Sequence, residues 1–288
     1  MTRFNKTLLA GAVAAALAAP MTVMAQAASS SPHTFTGNVG LFSQYIFRGL
    51  TQTDRQPALQ GGFDYAHASG FYAGVWGSNI SWLTDSFAGV TTGPLATTNT
   101  RSGSYSLEVD TYLGFKMPVK DFTFDVGFLR YNYPGRAPAP SWPAGTGKPD
   151  TNELYAAVSW KWLTFKYSYS LGDTFGIKDA KGTDYMDLTG TFPIGDSGFN
   201  LIAHVGRQNF KGNNSALWSG SGCNQNCLDY TDWRVAVTKE YMGLNFSLGY
   251  TKANTQAVTP TTRAAVWSNN FNRNIGEGTW TIGVQKTF

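Results

Sequence analysis

The stretch Gly278–Phe288, GTWTIGVQKTF, constrains the fold more than any other part of the chain. Its even positions from Trp280 are Trp280, Ile282, Val284, Lys286 and Phe288, and its odd positions are Thr279, Thr281, Gly283, Gln285 and Thr287. Alternation of period two over about ten residues marks a β-strand with one apolar and one polar face. The chain stops on an aromatic residue at the end of this strand, so no later element covers its edge. An apolar unpaired edge is an aggregation hazard in water. Pairing with the first strand removes the edge, and a closed barrel satisfies every backbone polar group in lipid. Lys286 interrupts the apolar face. Near a membrane surface its stem lies along lipid while the amine reaches water. The competing soluble arrangement is a last sandwich strand covered by a second sheet.

The other end of the chain reads as a secretory signal peptide over residues 1–27. Arg3 and Lys6 form a basic start, Leu8–Ala19 is apolar but too short to span a bilayer, and cleavage sites follow Ala25 or Ala27. Removing it leaves 20 basic and 18 acidic residues, a net charge of +2 that gives no support to nucleic-acid binding. No later run of 18 or more apolar residues exists, so helical spans are excluded. A lead over 28–34 and one domain over 35–288 are expected, because neither a linker nor a composition break divides the rest. Many Gly and aromatic residues with a slightly negative mean hydropathy fit a membrane barrel, whose strands need only one apolar face.

Twelve strands emerge in order: Phe35–Gly49, Pro57–His67, Phe71–Trp82, Ser104–Lys116, Phe122–Tyr133, Asn152–Trp160, Trp162–Leu171, Thr183–Phe192, Phe199–Phe210, Asp229–Lys239, Leu244–Ala253 and the closing strand. Each approaches the roughly 9–11 residues that a tilted strand needs to cross a bilayer. Phe71–Trp82 and Thr183–Phe192 are weakly patterned, leaving ten or fourteen strands as alternatives. Short turns alternate with mostly long polar loops, including Leu83–Gly103, the five-proline Pro134–Thr151 and Thr255–Gly276. The expectation is an all-β, single antiparallel transmembrane barrel of about twelve strands, with short periplasmic turns and long extracellular loops. Trp160, Trp162, Phe122 and Tyr241 would form one aromatic belt, and Trp82, Tyr131, Tyr169, Trp233 and Trp280 the other.

Charged side chains at membrane depth should face the interior. The less apolar strand faces place Arg48, Asp64, Glu108, Asp110, Asp125, Glu153, Lys166, Asp187 and Arg234 there. A turn near 118–119 would bring Asp110 close to Asp125. Two interiors follow: an acidic wall facing basic residues across a water-filled lumen, or charges that pair and plug the barrel. Arg48 with Gly49 also reads as turn chemistry, its guanidinium tied to loop carbonyls or Asp54. Cys223 and Cys227 flank Asn-Gln-Asn in a polar loop and suit a local disulfide in an exported protein, zinc being the weaker alternative.

Several motifs resemble a known family. Gly40-Leu-Phe-Ser43-Gln-Tyr45-Ile-Phe47-Arg48-Gly49-Leu-Thr-Gln52-Thr53 is similar to the opening motif of the TorF-type porins, a proteobacterial outer-membrane family. The likeness continues through Pro57-Ala-Leu-Gln60-Gly-Gly-Phe63-Asp64-Tyr65, Gly70-Phe-Tyr-Ala-Gly74-Val-Trp76, Glu108-Val-Asp110, Tyr133-Pro134-Gly135 and Asn152-Glu153. The closing strand likewise resembles the C-terminal insertion signal of bacterial outer-membrane barrels. What the resemblance implies is a porin-like barrel in the outer membrane of a Gram-negative bacterium. Its partners would be outer-membrane lipids, the barrel assembly machinery and small solutes. The family supplies no catalytic residues or substrate.

The functional expectation is a passive channel for small solutes without a cofactor, metal or enzymatic activity. A barrel hydrolase is the alternative from another class, and it needs a nucleophile, a base and an orienting group. His33 falls in the lead, His67 beside a turn and His204 within a strand as interior polar filling. A surface receptor or adhesin working through the outer loops is the third class; deleting those loops would abolish adhesion and spare conductance.

Overall fold

The computed structural model describes residues 31–86, 104–136, 145–214, 224–225, 228–255, 267–269, 271 and 273–288. Within them lie β1 (His33–Phe42), β2 (Ile46–Phe47), β3 (Leu50–Thr51), β4 (Ala58–His67), β5 (Phe71–Asn79), α1 (Trp82–Ser86), β6 (Leu107–Val119) and β7 (Phe122–Asn132). Then follow β8 (Thr151–Trp160), β9 (Leu163–Ser170), β10 (Asp184–Pro193), β11 (Phe199–Asn209), β12 (Tyr230–Tyr241), β13 (Leu244–Ala253) and β14 (Thr279–Thr287). The expected signal peptide and the Cys223–Cys227 pair lie outside the described residues.

Twelve of these strands form a closed antiparallel barrel, each paired with its sequence neighbour and β1 paired with both β4 and β14. Closure runs from Asn38 opposite Thr287 to Phe42 opposite Gly283, so the last strand has no free edge along this run. Turns at one end are short. Met242 and Gly243 both take positive φ (52° and 71°), which matches the twist of the β12–β13 hairpin. At this end Lys286 Nζ donates to the Gly243 carbonyl at 3.0 Å, so the one charge on the apolar face of β14 is tied to a turn.

The outer surface inverts the usual soluble pattern. Phe35, Leu41, Phe63, Val126, Leu188, Val235 and Ile282 are all exposed, one or more per strand around the barrel. A contiguous apolar girdle of this kind would aggregate in water and is matched to hydrocarbon. Trp160, Trp162, Phe122 and Tyr241 point outward at the short-turn end, and Tyr169, Trp233 and Trp280 do so near the other end. Tyr131, expected in that second belt, is instead buried inside. Trp82 starts helix α1 instead of ending β5.

The largest departure is at the first strand, which was expected to reach Gly49. β1 ends at Phe42, and the chain turns inward to make the small β2–β3 hairpin. Arg48 and Gly49 form its tip with φ of 45° and 80°, a geometry that continued strand pairing does not allow. Backbone bonds from Ser43 to Ile282, Thr51 to Ile275 and Gln52 to Tyr45 fasten the inserted segment. The expected lead also shortens, since His33 already belongs to β1 and its Nδ1 lies 2.8 Å from the Tyr65 hydroxyl.

Candidate functional site: the lumen and its inserted hairpin

Alternation sends one residue in two inward, and glycines decide how far the inward side chains reach. Tyr72 on β5 passes over Gly114 of β6 and donates to Asp125 of β7 at 2.6 Å, while also meeting the Tyr155 hydroxyl. Tyr112 on β6 passes over Gly74 of β5 to Asp64 of β4 at 2.5 Å. Tyr185 on β10 passes over Gly206 of β11 to Asp232 of β12 at 3.0 Å. In each case a Cβ on the middle strand would strike the ring. The device ties alternate strands together and satisfies an interior carboxylate at the same time.

At the long-loop end these walls close on the hairpin. Arg48 makes a two-pronged pair with Glu153, Nη1 to Oε1 at 3.0 Å and Nη2 to Oε2 at 2.8 Å, and Nη1 also donates to Gln208 at 3.0 Å. The fork of the guanidinium matches the carboxylate plane. Its cationic carbon lies 4.4 Å from the Tyr185 ring centroid and 4.9 Å from that of Phe47. Side-chain exposure is 5% for Arg48 and 2% for Glu153, so the pair is desolvated. Burial alone would lower the Arg48 pKa, but Glu153 and then Tyr131 outweigh it and carry the value above its ordinary range. Tyr45, from the same inserted segment, donates to Glu108 at 2.7 Å. Asp110 is buried nearby, and its Oδ1 has no hydrogen-bond partner among the described residues.

Towards the short turns the interior loosens. Asp64, Lys116, Asp125, Lys166, Asp187, His204 and Arg234 are each partly exposed. Lys166 Nζ sits 4.2 Å over the Tyr155 ring. His204 is clamped, with Nδ1 at 3.2 Å from Asp187 and Nε2 at 3.0 Å from Asp232. The Thr189 hydroxyl lies 3.0 Å from His204 Nδ1 but donates to Asp187 at 2.7 Å. Carboxylates at both ring nitrogens orient the imidazole without leaving a nitrogen to take a proton from a nucleophile.

The inward set named from sequence thus divides. Arg48 and Glu153 meet directly, with Glu108 held by Tyr45 beside them. Asp54 does not anchor Arg48; it accepts from Asn269 and pairs with Arg273 at 3.0 Å. Asp110 and Asp125 are not brought together. The β6–β7 turn falls at Lys120–Asp121, so Lys116 faces Asp125 and Asp110 faces Tyr131. Gln208 and Tyr131 were missed because neutral residues carry no signal for a charged partner. Asp232 was discoverable, since it alternates in step with Arg234.

With that geometry in place, the sequence match can be stated. A model of a bacterial protein family of unknown function, Gcw_chp, matches residues 26–288. The chain belongs to this family. No curated protein matches it. Among solved structures, this Gcw_chp protein is similar to the KdgM porin in complex with disordered oligogalacturonate, at 7% identity, 88% coverage of this chain, 99% of that one and TM-score 0.45. It is also similar to a TodX deltaS2S3 mutant monoaromatic hydrocarbon channel, at 10% identity, 90% coverage of both chains and TM-score 0.42. A third is LpxR from Salmonella typhimurium, at 10% identity, 88% and 99% coverage and TM-score 0.39. None of these likenesses bears on residues or solutes.

Proposed function

We propose that this Gcw_chp protein is an outer-membrane channel for small polar solutes, of the TorF porin type, whose resting state is closed by its own first long loop. The single observation that supports this reading is the inserted hairpin. A half-open vestibule lined by charges of both signs ends against Arg48, which belongs to a loop and not to the wall. A permanent polar core would ordinarily be built from the walls themselves, as in the smallest barrels. A stopper hung on one connection leaves a route by which the same barrel conducts.

The apolar girdle supports an address in lipid, and the alternating charges behind it support aqueous passage. Reconstitution of the purified protein into planar bilayers tests the reading. Brief, infrequent stepwise currents are expected from the native chain and frequent ones from an Arg48→Ala, Glu153→Ala double variant, which removes both halves of the buried pair. A double variant that is folded, inserted and electrically silent would overturn the proposal.

A further inference from the structure

The outward face near the long loops carries a polar construction separate from the lumen. Arg130 belongs to the outward set of β7 with Phe124, Val126 and Phe128. Its guanidinium donates from Nε to Asn132 at 2.6 Å, from Nη1 to Asn152 at 3.1 Å and from Nη2 to Asp150 Oδ2 at 3.1 Å. Lys148 reaches the same Asp150 oxygen at 2.7 Å. The other Asp150 oxygen accepts the Tyr133 backbone N–H at 3.1 Å. Val109, Tyr133 and Pro134 complete a recess of about 400 Å³ around these cations.

The same scaffold occurs once more, at β11 and β12. Arg207 donates to Asn209, Thr231 and Asp229 in the same order, and Asp229 accepts the Phe210 N–H at 2.7 Å. The charge balance differs. Lys211 lies 3.7 Å from Asp184, so two cations face two carboxylates there. In the first recess, among the described residues, two cations share the single carboxylate Asp150, which leaves one positive charge in excess. The contacts named use three of the five guanidinium donors and one of the three ammonium donors, so the site has hydrogen-bonding capacity as well as charge. A cation on the outward face is tolerated only near an interface, which is where anionic headgroups lie.

We infer that the Arg130–Lys148 recess binds the phosphate monoester of a membrane lipid in the leaflet on the long-loop side, an inference that rests on the membrane-spanning reading above. The guanidinium and ammonium would take the phosphate oxygens, and the outward-facing Val109 would lie beside the start of the acyl region. Native mass spectrometry of the full mature chain in detergent tests it, with phosphatidic acid as probe and phosphatidylcholine as reference. The native chain should retain phosphatidic acid about tenfold more tightly than Lys148→Gln or Arg130→Gln, while Arg207→Gln stays at the native level. Equal retention by Lys148→Gln overturns the inference. Displacement of phosphatidic acid by inorganic phosphate at matching concentration also overturns it, in favour of a soluble anion. If Arg130→Gln fails to fold, Lys148→Gln decides alone, since that side chain is 63% exposed. Flotation of the native chain with phosphatidylcholine vesicles reads the membrane assignment separately. A chain that floats yet retains the probe regardless of Lys148 loses the lipid site and keeps the barrel in its membrane.

Discussion

Towards the long loops the interior keeps Glu108, Asp110, Glu153 and Asp232 buried, whereas towards the short turns Asp64, Asp125, Lys166 and Asp187 stay partly exposed. Both halves of the wall carry carboxylates and tyrosines crossing over glycines, but the wall cations Lys116, Lys166 and Arg234 lie towards the short turns. What also differs is the Gln44–Thr53 segment, present in one half and absent from the other. On the proposed function, access to the lumen would be controlled by this loop, and the wall would supply the polar surface that a solute meets once the loop yields. Desolvated groups in the upper half require partners, and Arg48 and Tyr45 supply two of them.

The comparison breaks most completely if the segment is removed. Replacing residues 44–53 with a short Gly-Ser bridge should make the upper half as accessible as the lower and raise single-channel conductance by roughly an order of magnitude, as expected when a plugged lumen becomes a water-filled one. Planar-bilayer recording checks this, and native-level currents would mean that the wall itself closes the pore. A smaller disturbance is Glu153→Gln, which keeps the shape but leaves the buried Arg48 without its counter-charge. The cost should be about 3–5 kcal/mol to the docked hairpin, read as longer open times and faster protease cleavage within the loop. Adding Arg48→Ala to Glu153→Ala should be far from additive, because the two side chains form one interaction.

A third change separates wall from plug. Gly206→Ala places a methyl group where the Tyr185 ring crosses towards Asp232. It should cost about 1–3 kcal/mol through overpacking. Lower temperature of barrel unfolding in detergent, with conductance per open channel unchanged, is the expected result.

How much of this could be read from residue order follows the same division. Wall positions were legible because alternation is a local property: Glu108, Asp110 and Tyr112 fall inward and Leu107, Leu113 and Phe115 outward, as the period of two requires. The apolar–polar alternation of the last strand asked for a partner along its edge, and β1 supplies it from Asn38 to Phe42. The inserted hairpin was not legible as such. Tyr45 and Phe47 continue the alternation of β1, and what diverts the chain is the positive φ at Arg48 and Gly49, which Arg48 adopts against its intrinsic preference. Its partners Glu153 and Gln208 lie 105 and 160 residues away, so tertiary contacts outweigh the local pattern. The meeting of Asp125 with Lys116 in place of Asp110 turned on the location of one short turn, the boundary feature that periodicity defines least well.

The smallest expected effect belongs to the lower half, and it is the one that ties charge to selectivity. Asp64 and Asp125 each accept a tyrosine hydroxyl and remain partly exposed, so water screens their fields. Asp64→Asn with Asp125→Asn keeps the size of both side chains and removes two negative charges from the vestibule. Passage of cations relative to anions should fall by a factor of about two to five, since charges near a narrow path bias which ions enter it without closing it. Reversal potentials under a salt gradient measure this, in the hairpin-deleted background so that the vestibule and not the plug limits the current. The shift should shrink as ionic strength rises, because screening shortens the reach of each carboxylate. If the ratio stays constant across salt, or does not move at all, the vestibule charges serve the tyrosine ties of the wall, and selectivity resides with Arg48 at the junction of the two halves.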